Sequence, residues 1–195
     1  GVDVNLGQGT SPSMTVANWV KARLETDDKI AWGELFAKAD EAWGGSQADG
    51  AYTPKDAYDA LEAGINLWLR DTKNGDWNPN GDAKGASRDI AALKEMLARV
   101  PTQTKRTAET DEFQQFSTPP TYAYLMNWAA KLSPEDVVLE PSAGIGGLAI
   151  FSEAAGAQLA LNELSKRRAD VLQAVFPEAR VFTEDAAQIN NILPQ

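Results

Sequence analysis

The stretch VVLEPSAGIGGLAIF, residues 137–151, carries an apolar run that ends in an acid, a turn with three glycines, and a second apolar run. Apolar residues followed by a glycine turn and an apolar helix predict a strand, a tight loop and a helix. That arrangement brings backbone close to a ligand and turns unpaired N–H groups toward it. Gly144, Gly146 and Gly147 occupy the turn. Their spacing is G-x-G-G followed by Leu148, Ala149 and Ile150, so the third glycine of a dinucleotide fingerprint is misplaced, and no Lys-Ser/Thr pair follows as a phosphate loop requires. Glu140, at the end of the strand, repels a pyrophosphate and attracts a cationic amino-acid head. The turn therefore reads as a site for a ligand with an ammonium group.

Working outward, residues beyond about 113 alternate strand and helix. STPPTYAYLMNWAAKL predicts a helix after Pro119 and Pro120, DVVLE a short buried strand, and IGGLAIFSEAAG a helix closed by Gly156. AQLALNE, SKRRADVLQAVF capped by Ser165, RVFTED and a short helix near AAQINNI complete the series. A β-α-β-α-β succession implies parallel strands with right-handed crossovers, half of a doubly wound sheet. Glu163 ends the second strand, about 20 residues past the loop, where a ribose-binding acid belongs in this topology. Asp185 follows the third strand and could accept from an adenine amine. S-adenosylmethionine offers the matching groups: an ammonium, a sulfonium, a ribose and an adenine. The basic run in SKRRAD reads as a solvated helix face.

The rest of the composition narrows the chemistry. The 195 residues contain no cysteine and no histidine, which removes disulfides, thiolate metal sites and the imidazole base. No metal site is expected. The net charge of -10 is spread over both halves, so neither reads as a phosphate-backbone clamp, and DNA binding by this chain alone is expected to be weak or absent. No apolar run is long enough to span a bilayer and the first residues lack the pattern of a signal peptide, so no membrane partner and a cytoplasmic location are expected.

The first half has helical periodicity. TVANWVKARL, IAWGELFAKADEAW, YTPKDAYDALEAGINLWLRD and SRDIAALKEMLARV each align apolar residues on one face, with Thr53 and Pro54 starting the third and Ser87 capping the fourth. Four of the six tryptophans lie in these segments and read as bundle core. The predicted organisation is a flexible lead over 1–13, a helical domain over 14–100, a linker over 101–112 and a ligand-binding domain over 113–195. In DWNPNGDAKGAS, residues 76–87, oxygen side chains alternate as in a calcium loop, but Ser87 stands where the bidentate Glu belongs; a polar connector accounts for the same residues.

Residues 113–185 resemble the first half of class I S-adenosylmethionine-dependent methyltransferases, more narrowly the DNA adenine-type (amino) methyltransferases. Phe116, Thr118 and Pro119 match the F-x-T-P element that lines the methionine end of the cofactor. EPSAGIGG, with Glu140, Pro141, Ser142, Gly144 and Gly146, matches the cofactor loop. NELS around Glu163 and EDA around Asp185 match the ribose and adenine positions. YTPKDAYDALEAGINLWL also resembles the N-terminal region of phage and plasmid proteins that join such a domain to a strawberry-notch-like helicase.

The resemblance implies an α/β chain with an N-terminal α-helical bundle and a partial Rossmann-like parallel sheet of about three strands, a truncated methyltransferase fold. It implies S-adenosylmethionine as cofactor, a bacterial host cytoplasm, and DNA as partner of the intact protein. The family's Asn/Asp-Pro-Pro-aromatic tetrapeptide is absent, so no catalytic residue is assigned and the chain alone is expected to be inactive. The chain reads as the N-terminal portion of a longer methyltransferase or helicase polypeptide, or as one completed by a partner chain. The alternative is a non-catalytic scaffold or protein-interaction module. The strand bearing Glu140 is expected to lie at an exposed sheet edge through which copies of the chain could associate, unless the bundle covers it. Gly146→Val is expected to abolish ligand binding and leave the fold intact.

Overall fold

The computed structural model describes residues 10–71, 77–101 and 118–191, with side chains through residue 188. The chain is α/β. Helices α1 (Pro12–Glu25), α2 (Trp32–Trp43), α3 (Pro54–Asp71) and α4 (Ala83–Leu97) come first, then α5 (Pro120–Ala130). Strand β1 (Val137–Glu140), helix α6 (Ala149–Ala154), strand β2 (Gln158–Asn162), helix α7 (Lys166–Val175) and strand β3 (Arg180–Phe182) follow, and a short 3-10 helix covers Ala186–Asn191. All three strands are parallel in the order β1-β2-β3, with Val138 opposite Leu159 and Leu161 opposite Val181.

Local chemistry sets most helix starts. Ser11 caps α1 by accepting from the Met14 N–H, so the helix begins at Pro12, inside the expected flexible lead. Thr53 and Asp56 cap α3 reciprocally: the Thr53 hydroxyl oxygen accepts from the Asp56 N–H, and the Asp56 carboxylate accepts from the Thr53 N–H. For α4 the expected cap is displaced. Asp82 accepts from the Gly85 N–H at 2.8 Å and the helix starts at Ala83, while Ser87 sits one turn inside and donates back to the Ala83 carbonyl. A carboxylate followed by Ala-Lys-Gly-Ala offers a competent cap one turn earlier than the serine does. Asp82, a candidate calcium ligand in the sequence, is thereby used as a helix cap.

α3 is the central element. It packs on α1, α2, α6 and α7, and eleven of its eighteen residues are buried. Gly64 is the point of closest approach to α1: a Cβ there would lie 2.5 Å from Val20 Cβ and 2.6 Å from the Ala17 carbonyl oxygen. Trp32, Phe36, Trp43, Tyr52 and Tyr58 form an aromatic cluster between α2 and the start of α3, consistent with the expected bundle core. The buried apolar residues of the bundle and of the sheet layer join in a single cluster, from Val16 and Leu35 through Leu69 and Leu93 to Phe151, Leu161 and Phe176.

β1 is one of the two outer strands of the described sheet, with β3 the other. Its alternate residues Val137 and Leu139 are 66% and 38% exposed, while Val138 and Glu140 are partly covered. Among the described residues no helix is long and apolar enough to cross a membrane.

The α1–α3 contact yields the first prediction. Gly64→Ala improves helix propensity by about 1 kcal/mol but forces a methyl into backbone and Val20, and overpacking of this kind costs about 1–3 kcal/mol or more. Urea unfolding should therefore show the variant destabilised; a variant as stable as the parent would mean that α1 and α3 separate freely.

Candidate ligand site at the glycine turn

The turn at 141–148 joins β1 to a helix of only six residues, α6, shorter than the sequence suggests. Gly144 and Gly146 have φ of 59° and 84°, values that L side chains rarely adopt. Gly156 closes the region after α6 with φ 88°, as expected.

The turn's backbone is held by four side chains from three elements. Asn162, at the end of β2, donates to the Pro141 carbonyl at 3.0 Å and to the Glu184 carbonyl at 2.8 Å, and accepts from the Glu184 N–H at 2.9 Å. Glu163 accepts from the Gly144 N–H at 3.0 Å through Oε2 and from the Ser165 N–H at 2.9 Å through Oε1. Asn66 of α3 donates to the Ile145 carbonyl at 2.8 Å, and Asn127 of α5 donates to the Leu148 carbonyl at 3.1 Å while accepting from Ser152. Asn66, Asn127 and Asn162 are 3%, 3% and 1% exposed, so these bonds to the turn are made out of solvent. None of the three is a candidate in the sequence reading. Their signal is an amide set in an apolar run, GINLWL, LMNWAA and LALNE, because a buried amide needs partners.

The candidate residues divide by position. Glu140 and Glu163 flank the turn from the ends of β1 and β2, and Pro141 and Ser142 are exposed at its rim. Thr118 lies against the turn, its carbonyl oxygen 3.5 Å from where a Cβ on Gly147 would sit, and Pro119 precedes α5. Asp185 is exposed and accepts from the Ala187 N–H, capping the 3-10 helix. Phe116 lies outside the described residues.

Gly146 answers to packing. A Cβ there would come within 2.2 Å of the Phe176 ring and 3.0 Å of Leu172. The expectation that Gly146→Val leaves the fold intact is thus overturned, since any side chain at Gly146 collides with the buried contact between the turn and α7. At Gly144 the nearest neighbour of a Cβ is the guanidinium of Arg168, at 2.9 Å.

The reading of the basic run in the first turn of α7 is likewise corrected. Lys166 is exposed, but Arg167 reaches Asp56 at 2.8 Å and Asp59 at 2.7 Å, and Arg168 lies 3.3 Å from both Asp59 and Glu163. Lys55 also contacts Asp59, at 2.6 Å. Asp59 is fully buried, and the three acids and three bases of this group balance in charge. A solvated face on α7 becomes the ionic seam between α7 and α3.

Glu140 stands apart from that balance. Its Oε2 is out of solvent with no hydrogen-bond partner among the described residues, and burial pushes its carboxyl up to about 7. The Gly144 N–H, by contrast, is spent on a carboxylate and cannot hold a phosphate. Among the described residues no group of three or more His, Cys, Asp or Glu is placed to hold a metal ion. No protein-family profile, curated protein or solved structure matches the chain.

Between its ordinary value of 4.5 and about 7, Glu140 retains in the folded chain a proton that the unfolded chain has released. Stability therefore falls as pH rises through that window and levels off above it. Glu140→Gln removes the effect, so the stability difference between variant and parent should grow in favour of the variant by up to about 3 kcal/mol between pH 4.5 and 8. Parallel pH curves in chemical unfolding would show that the carboxyl is solvated.

Proposed function

We propose that the glycine turn binds S-adenosylmethionine and that the chain is the cofactor-binding, N-terminal portion of a DNA adenine-type methyltransferase, built on a partial Rossmann-like sheet. The unpartnered, desolvated carboxyl of Glu140 carries this reading. A desolvated carboxyl oxygen with no hydrogen-bond partner among the described residues favours a cationic partner, and its position at the strand end beside the turn suits the ammonium of a methionine moiety. Glu163 supports the ribose end. Each carboxylate oxygen has two acceptor sites, and Oε1 spends one on Ser165, leaving one for a hydroxyl. Thr118 and Pro119 lie beside the turn, as the F-x-T-P element of that family does, and Asp185 serves the adenine amine.

When bound, the cofactor supplies an electrophilic methyl on a sulfonium. This chain's own contribution is to seat it. Glu140 neutralises the ammonium, and the clamped turn fixes the backbone beside the methionine end. The amine-binding tetrapeptide is not among these residues, so the chain alone transfers no methyl group; the remainder of a longer methyltransferase or helicase polypeptide, or a partner chain, supplies DNA recognition.

A second reading is a protein-interaction scaffold with no ligand. The saturated hydrogen bonding of the turn favours it, because Asn66, Asn127, Asn162 and Glu163 hold the loop without help. The exposed apolar residues of β1 favour it too, as a surface for another chain or a second copy.

Calorimetric titration with S-adenosylmethionine separates the readings. Saturable binding with a dissociation constant of roughly tens of micromolar, about -6 kcal/mol, is expected because part of the ligand stays in water. Glu140→Gln should weaken it at least about tenfold while keeping the protein folded. No heat of binding up to millimolar ligand, or transfer of labelled methyl to DNA by the purified chain, would overturn the proposal.

A further inference from the structure

The helical half carries a concave surface. A cleft of about 390 Å³ lies between the end of α2 and the turn that leads to α3, lined by Phe36, Asp40, Ser46, Gln47, Ala48 and Tyr52. Its aromatic wall is fixed. The Phe36 and Tyr52 rings are 21° from parallel with centroids 6.5 Å apart, and Trp43 backs Tyr52 at 5.1 Å. Tyr52 is 5% exposed, and its hydroxyl donates to Asp40 at 2.6 Å and to the Phe36 carbonyl at 3.3 Å. Burial and this hydrogen bond to Asp40 push the phenol well above its usual range, so it remains a donor.

Asp40 therefore stands in the cleft as an oriented carboxylate beside two ring systems, and among the described residues it forms no ion pair. The neighbouring lysine, Lys38, is taken by Glu41 at 2.9 Å. The fold needs only an acceptor for the Tyr52 hydroxyl, which an amide would provide equally well; a negative charge at this place is left over. Aromatic faces and a carboxylate around one cleft are complementary to an organic cation, which gains from both the ring quadrupoles and the charge. The chain's net charge of -10 raises the local concentration of such a ligand. We propose that this cleft binds an organic cation of the lysine or arginine type, an ammonium or guanidinium on an aliphatic stem, whether free or carried by a basic segment of a partner protein. The proposal is independent of the ligand at the glycine turn.

The test is an amide NMR titration of the full chain with N-acetyl-arginine amide and N-acetyl-lysine amide, with the uncharged citrulline analogue as control. Saturable shifts of the Ser46, Gln47 and Ala48 amides are expected, with millimolar dissociation constants fitting one exposed cation–π contact plus one exposed ion pair. Citrulline should leave them unmoved. Asp40→Asn keeps an acceptor for Tyr52 and should weaken binding about fivefold or more, and Phe36→Leu should weaken it as well. A short peptide with two arginines that binds tighter at the same amides identifies a protein as the source; equal affinity identifies the free cation. Absence of saturable shifts in the parent chain, equal shifts with citrulline, or unchanged binding in Asp40→Asn would overturn the proposal.

Discussion

The hydrogen bond from the Gly144 N–H to the Glu163 carboxylate is the constraint on which the sheet layer depends. A turn between a four-residue strand and a six-residue helix has little regular backbone pairing of its own, and buried unpaired N–H and C=O groups cost about 1–3 kcal/mol each. Here that demand is met by side chains from separate elements, Glu163 and Asn162 from the end of β2, Asn66 from α3 and Asn127 from α5. The turn is consequently organised before any ligand arrives. Preorganisation of this kind lowers the entropic cost of binding, and it equally serves a protein that binds nothing there.

The same logic explains why α3 is built into the sheet layer. Asp59 is fully buried on a helix whose other inward residues are largely apolar, and an isolated buried carboxylate costs several kcal/mol. Lys55, Arg167 and Arg168 surround it, and Arg168 extends the chain of charges to Glu163 beside the turn. Arg70 adds a further tie by donating to the Val175 carbonyl at the end of α7. Removing one member of such a group leaves the others buried without compensation, so the helical half and the turn are coupled energetically. The bundle is thus a structural support for the site's geometry.

Much of this was legible in sequence because it rests on local periodicity and turn chemistry. The strand, turn and helix around EPSAGIGG, the parallel β-α-β-α-β order and the start of α3 at Thr53 and Pro54 all follow from patterns within a few residues, whereas the cap at Ser11 falls in the stretch that reads as a flexible lead. What sequence obscured depends on distant partners. Asn66 meets Ile145 and Arg167 meets Asp59 across long stretches of chain, so their partners are not legible in residue spacing. Gly146 shows the limit most clearly. Its glycine reads as a route to a ligand, yet Phe176, thirty residues later and on another helix, is what excludes a side chain. Asp82 displaced Ser87 as the α4 cap because two competent caps lay one turn apart, a competition that packing decides.

The two acids of the candidate site differ in a way that bears on function. Glu163 has its charge matched by N–H donors and a guanidinium, as a residue selected for stability would. Glu140 has none of this. Its oxygen is desolvated and unpartnered, a feature that costs stability at neutral pH and that glutamine would relieve. Proteins break local rules chiefly at functional sites, and a residue that does so without a compensating contact points to a site where activity sets the choice. Glu140 is such a residue, and a cationic partner is the simplest addition that would complete its environment. On the proposed reading, the charge that costs the fold stability is also the charge that selects the ligand.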